Sequence, residues 1–220
     1  MIRRIGRIGK AGLLALALSW PTLYASPVVA IGQAHPQAWS MDLSPEGTVE
    51  GFRKWSNVLD RHPDDMDLLD GPCDASSFNA CHLRTWLDFL ESIRHLNKRD
   101  QLDRVNRHFN ASPYITDMIN WNMPDYWARP IQFMEMSGDC EDYAIIKYYS
   151  LIHLGFSADD LRIVVLHDNN LNVGHAVLTV SIEGDILALD NQIDQLAPVE
   201  LLGHYTPIFS VNESHWWRHG

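Results

Sequence analysis

Three residues of the right types for acyl transfer stand well apart in this chain. Cys140 lies in "SGDCEDYAIIKYYSLIHLG", His175 opens "HAVLTVSI", and Asp190 closes "DILALD". A nucleophilic cysteine needs a base within hydrogen-bond reach and a third group to orient that base. Cys140 with His175 as base and Asp190 as orienting acid would meet that need. The chemistry would be attack of the thiolate on a carbonyl, protonation of the leaving amine by His175, and release of the acyl group by water. The Cys140 backbone N–H would supply one oxyanion donor, and the sequence does not identify a second.

The elements that must bring these residues together can be read locally. Ser137 or Asp139 caps a helix whose first turn holds Cys140, and Gly155 marks its end. Tyr143, Ala144, Ile145, Ile146, Tyr148, Leu151, Ile152 and Leu154 make that helix apolar almost all round, the mark of burial. "LRIVVLH", "HAVLTVSI" and "DILALD" read as strands, the last two joined across the turn signal Glu183-Gly184-Asp185. His175 and Asp190 then share a face of the hairpin, at an expected offset of four residues that a bulge or longer turn must close. Upstream, Phe52, Trp55, Val58 and Leu59, then Leu83, Trp86, Leu87, Leu90 and Ile93, then Leu102, Val105 and Phe109 form three amphipathic stripes. Between these helices and the cysteine, Pro113, Pro124 and Pro130 break up an aromatic stretch in which Trp121, Tyr126 and Trp127 cluster. It reads as a cleft wall or as a loop packed on the core. Pro130 is suited to the first position of a short helix. Helices followed by antiparallel strands predict an α+β domain.

Cys140 is flanked by Asp139, Glu141 and Asp142. One negative charge about 7 Å from a thiolate costs about 2 kcal/mol at an effective dielectric near 20. A helix N-terminus returns only about 0.3–2 kcal/mol. A cation would resolve the conflict: Asp139 and Glu141 are expected to reach sideways together, away from Cys140, and two hard oxygen ligands with backbone carbonyls suit Ca²⁺. The alternative is a set of solvated acids that simply favour a helix start. Zinc on Cys140, His167 and His175 follows none of the short paired-ligand spacings, and a serine nucleophile lacks its G-x-S-x-G elbow.

The first thirty residues carry Arg3, Arg4, Arg7 and Lys10, then the apolar run "AGLLALALSW", then small residues at Ala25 and Ala30. That is the order of a secretory signal cleaved near Ala25 or Ala30, leaving one domain over 31–220, and the apolar run is too short to span a membrane. Without this segment 13 basic residues face 28 acidic ones, a formal charge of −15, which argues against nucleic acid or an anionic membrane as partner. In an oxidising compartment Cys73 and Cys81 read as a disulfide clip, the alternative being two buried thiols, and Cys140 is the odd cysteine left over.

"GDCEDYAIIKY", preceded by "VNRHFN" and "YITDMINWNMPDYWARP" and followed by "LRIVVL", "GHAVL" and "LDN", resembles the bacterial transglutaminase-like cysteine peptidases, with their LapG-type periplasmic branch. The resemblance runs from about Val105 to Asn191. Gln132 stands where the family's proline-led segment has Glu, and "GHAV" replaces "AHMV". What it implies is a papain-like or transglutaminase-like fold and a Cys140–His175–Asp190 triad. It further implies Ca²⁺ bound through Asp139 and Glu141, and periplasmic cleavage of a large biofilm adhesin under control of an inner-membrane cyclic di-GMP receptor. Two other classes remain open at this point, acyl transfer to an amine and a non-catalytic binding module on the same scaffold.

Overall fold

The computed structural model describes residues 39–73 and 78–220, so the expected signal segment at 1–30 lies outside the described residues. Three amphipathic helices come first: α1 (Arg53–Met66), α2 (Ala80–Ile93) and α3 (Lys98–Asn110). Their stripes point inward as their spacing requires, with Trp55, Val58, Leu83, Trp86, Leu90, Leu102, Val105 and Phe109 all buried. Asn79 and Asn97 cap α2 and α3 by accepting from the N–H groups of Cys81 and Asp100, each at 2.9 Å. Cys73 and Cys81 are joined by a disulfide that ties the segment before α2 to its first turn.

Two short helices, α4 (Asp117–Asn120) and α5 (Pro130–Met136), interrupt the aromatic stretch, and Pro130 takes the first position of α5. α6 (Cys140–His153) follows, with every residue from Asp142 to Leu151 buried. It ends at Gly155, whose φ of 81° lets Phe156 N–H reach Leu151 O (3.0 Å) and Gly155 N–H reach Ile152 O (2.9 Å). That is a Schellman stop, available at low cost only to a residue without Cβ.

The strands are β1 (Gly47–Thr48), β2 (Leu161–Asp168), β3 (Val173–Ile182), β4 (Asp185–Leu189), β5 (Ala197–Pro198), β6 (Tyr205–Val211) and β7 (His215–Arg218). They form one antiparallel sheet in the order β1-β7-β6-β2-β3-β4-β5. α6 packs on β3 and β2, and the core between helices and sheet takes in Ile145, Leu151, Ile163, Leu178, Val180 and Leu189. A second cluster, with Trp39, Val164, Leu166, Val177, Leu202 and Tyr205, covers the other face. Burial on both faces explains why β2 and β3 read as nearly continuous apolar runs. β6 is less legible because Pro207 interrupts it. Leu166 pairs with Pro207 and Val165 with Phe209, so Ile208 is left over in a bulge. The segment before α1 includes β1, and Arg162 holds it by donating to Ser40 O (3.2 Å) and Met41 O (2.6 Å).

The β3–β4 hairpin corrects the expected offset. Ile182 pairs with Asp185 across Glu183 and Gly184, both at positive φ, as the two-residue type I′ turn demands. Leu178 pairs with Leu189, so Asp190 continues opposite Val177, two residues from His175 rather than four. A two-residue diagonal on one face lies within side-chain reach, and no bulge is needed.

The junction between α5 and α6 is tight. A Cβ built on Gly138 would lie 2.1 Å from Asp142 Oδ2, the atom that accepts from Asp139 N–H. Gly138→Ala should therefore displace the Asp142 carboxylate and leave buried N–H groups unpaired, at about 2–4 kcal/mol. Thermal unfolding checks this, and an unchanged melting temperature contradicts it. Cys73→Ser should cost about 2–3 kcal/mol through the freed loop, and dithiothreitol should lower the wild-type melting temperature alike.

Candidate active site

The segment before α6 is held by its own carboxylates. Asp142, wholly buried, accepts from Ala128 N–H (2.6 Å) and Asp139 N–H (3.2 Å), which sets the approach of the chain to Cys140. Asp139 and Asp142 together make the reciprocal capping pair at the helix start, so Asp139 rather than Ser137 is the cap. Asp139 Oδ2 also accepts from Asp117 N–H at 3.2 Å, and Asp117 Oδ2 accepts from Tyr126 N–H. Gln132 fills the position where a glutamate was expected. Its Oε1 accepts from Arg129 N–H (3.0 Å) and its amide donates to Tyr126 Oη (3.0 Å), while the Arg129 guanidinium pairs with Asp65 of α1.

Five carboxylates thus meet around the start of α6. Oxygens of Asp117, Asp125 and Glu141 lie within 4.8 Å of one another, as do those of Asp117, Asp139 and Asp142. A third such group joins Asp139 and Glu141 to the Cys140 sulfur. The expectation that Glu141 turns away from Cys140 is overturned, because its Oε2 lies 3.1 Å from Cys140 Sγ, which donates to it. Neighbouring positions in a first turn leave the longer glutamate side chain free to fold back over the sulfur. Burial and the Asp139 charge push Glu141 up to about 8, and burial with the charges of Glu141 and Asp139 holds the thiol well above its ordinary range. The Ala176 N–H facing the sulfur acts in the opposite sense.

His175 and Asp190 are brought together. His175 Nε2 lies 2.9 Å from Asp190 Oδ1, and both side chains are almost fully buried. The other oxygen of Asp190 accepts from Tyr205 Oη at 2.6 Å, and Oδ1 also accepts from Gln192 N–H at 2.9 Å. Burial alone would raise the Asp190 pKa, but the His175 hydrogen bond and charge, with the Gln192 and Tyr205 donors, hold it below the usual carboxylate value. Behind this loop, the buried Lys147 ammonium donates to Asn106 Oδ1 (2.8 Å) and Asn110 Oδ1 (2.7 Å). Asn110 in turn donates to Asp190 O at 2.8 Å.

Cys140 and His175 line one cleft of about 730 Å³, walled by Phe52, Trp55, Trp127 and Phe209. Of the aromatic cluster read from sequence, only Trp127 walls it, since Trp121 packs on Tyr126 with ring centroids 4.5 Å apart. His167 does not join the cysteine. Its Nε2 lies 3.2 Å from Asn172 Oδ1, and among the described residues no group of metal-capable side chains contains a histidine. Sequence reasoning missed Asp117, Asp125 and Tyr205. Asp142, seen only as one more flanking charge, carried a usable signal: an acid at the third position after an Asp cap.

The family model for bacterial transglutaminase-like cysteine proteinases matches residues 73–218, beyond the Val105–Asn191 stretch that carried the resemblance at both ends. A search of curated proteins returns no match. Among solved structures, calcium-bound LapG of Legionella pneumophila is 29% identical over 72% of this chain and 89% of that chain, with a TM-score of 0.60. A second LapG structure from that organism is 30% identical over 71% and 86%, also with a TM-score of 0.60. An EGTA-treated form is 29% identical over 72% and 85%, again at 0.60. The chain belongs to the bacterial transglutaminase-like cysteine proteinases and has their fold.

Proposed function

We propose that this chain is an exported, calcium-dependent cysteine endopeptidase in which Cys140 is the nucleophile, His175 the base and Asp190 the orienting acid. The observation that carries the reading is the buried His175–Asp190 contact of 2.9 Å at the rim of the cleft that Cys140 also lines. With Nε2 turned to Asp190, Nδ1 is the ring nitrogen left for the thiol. Cys140 Sγ adds to the scissile carbonyl as its proton passes to His175, and His175 returns that proton to the nitrogen as the C–N bond breaks. A water deprotonated by His175 then attacks the thioester, freeing the new carboxyl end and the thiol.

The start of α6 fits a hard divalent cation. Asp117 Oδ1 and Asp139 Oδ1 are buried without a hydrogen-bond partner, and apart from the Cys140 sulfur the surrounding donors are carboxylates. Asp139 and Glu141, with Asp117 and Asp125 from the preceding loop, would hold it. Bound Ca²⁺ would neutralise the charge beside the thiol and fix the loop that presents it. The calcium-bound and EGTA-treated forms of the similar Legionella LapG support this choice of cation.

The same resemblance supports a protein substrate, a large surface adhesin, and control by an inner-membrane cyclic di-GMP receptor. Export to the periplasm rests on residues 1–30 as a cleaved signal ahead of the 31–220 domain. Among the described residues no helix is long and apolar enough to cross a membrane.

Cys140→Ala should abolish proteolysis, read as a surface protein that the wild type releases and the variant does not; release by the variant would sink the assignment. Asp190→Asn should keep the circular dichroism of the wild type while turnover falls roughly 10³–10⁴-fold, because the histidine loses its correct tautomer. An unfolded Asp190→Asn chain would make the carboxylate structural instead. Calcium at 100 times its dissociation constant should stabilise the chelator-treated protein by about 2.7 kcal/mol, and Asp139→Ala or Glu141→Ala should remove the gain. Wild-type activity that survives excess EGTA would contradict the calcium requirement.

A further inference from the structure

The oxyanion site needs a second donor beside the Cys140 N–H. Tyr114 lines the cleft with Cys140 and His175, and its side chain is about half exposed. Its backbone is anchored two residues before the nucleophile. Tyr114 forms a parallel bridge with Gly138, and Ile115 N–H donates to Gly138 O at 2.9 Å. Its ring lies nearly parallel to that of Tyr143 at 6.3 Å between centroids, and Tyr143 is itself tied by its hydroxyl to Ser112 O at 2.6 Å. This mounting sets the Tyr114 phenol toward the Cys140 backbone N–H. As the first residue of α6, Cys140 has no helical partner for that N–H. The phenol is therefore placed beside the position where a developing oxyanion would be received.

Three other donors along the cleft are engaged elsewhere. Trp55 Nε1 donates to Asn212 O at 2.6 Å, the Ala176 N–H faces the sulfur, and Lys54 pairs with Asp125. Tyr114 has the freedom to turn: its ring is held on one side by Tyr143 and open to the cleft on the other. When a substrate carbonyl oxygen takes the Cys140 N–H, the phenol O–H beside it can donate to the same oxygen.

We infer that Tyr114 is a catalytic residue, its hydroxyl donating to the substrate oxygen as Cys140 adds to the carbonyl and forming the oxyanion hole together with the Cys140 N–H. The inference deepens the cysteine peptidase reading above and rests on it. As the S–C bond forms, the carbonyl π pair moves onto oxygen and is stabilised by the two donors. The same pair returns when the C–N bond breaks, so Tyr114 gives up no proton in the cycle.

Two probes of Cys140 separate this role from any other. Acylation by p-nitrophenyl acetate passes through an oxyanion, whereas alkylation by iodoacetamide displaces iodide at a saturated carbon and does not. In calcium-loaded protein, Tyr114→Phe keeps the ring packing on Tyr143 and should slow p-nitrophenolate release about 10²-fold or more while alkylation stays near the wild-type rate. Inhibition by the peptide aldehyde leupeptin, whose adduct places an oxygen in the same hole, should weaken in parallel with acylation. Unchanged acylation in Tyr114→Phe would overturn the inference, and so would a parallel fall in acylation and alkylation, which would place the phenol's action on the thiol. A wild-type Cys140 inert to both probes would instead overturn the nucleophile assignment, and with it this inference.

Discussion

Buried negative charge at the N-terminus of α6 is the constraint around which the rest of this structure is arranged. Asp117, Asp139, Glu141 and Asp142 are drawn together with Asp125 next to a thiol that must become an anion to react. The helix end favours such charge, but by no more than about 2 kcal/mol. Three of the carboxylates are put to structural use instead, Asp117 by taking the Tyr126 N–H. Asp142 takes two backbone N–H groups and Asp139 takes one from Asp117, so the loop from Asp117 to Asp139 is folded onto the helix it precedes. What those bonds leave over, the buried Oδ1 atoms of Asp117 and Asp139 and the Glu141 carboxyl against the sulfur, is the part that a cation would satisfy.

The sheet answers a different demand, holding an imidazole and a carboxylate at fixed range. The two-residue turn at Glu183 and Gly184 sets the register of β3 against β4, and that register places Asp190 diagonally beside His175. Tyr205 on β6 reaches the second oxygen of Asp190 from the same face, while Asn110, steadied by the buried Lys147 of α6, holds its carbonyl. The nucleophile's helix and the acid's loop are therefore joined through one polar network. A network of this kind resists change only when every member is paired, and its lysine is kept from its ordinary basicity, down to about 7, by complete burial.

Much of this was legible in the sequence because local rules produce it. The stripes of α1 to α3, the Pro130 start of α5, the Gly155 stop of α6 and the Glu183-Gly184 turn each depend on a few adjacent residues, and each stands where its chemistry puts it. The Cys73–Cys81 link followed from close spacing in a chain expected to be exported. Long-range placement was not legible. Asp117 and Asp125 belong to a stretch broken by prolines, and only the folding of that stretch onto Asp139 and Asp142 brings them to Glu141. Tyr205 sits on a strand hidden by Pro207 and a bulge, so its bond to Asp190 has no sequence signature. The hairpin offset was misjudged by counting from the turn rather than from the Ile182–Asp185 pair that closes it. Glu141 was turned the wrong way for lack of any rule about how one side chain folds over its neighbour.

The account joins a nucleophile to a cation through shared carboxylates, and labelling of the thiol tests both halves at once. The intact chain is treated with limiting iodoacetamide in calcium and, separately, in EGTA, and the modified residue is located by peptide mass spectrometry. The account predicts rapid carbamidomethylation at Cys140 in calcium and little in EGTA. Equal labelling of Cys140 under both conditions, or none in calcium, would contradict it.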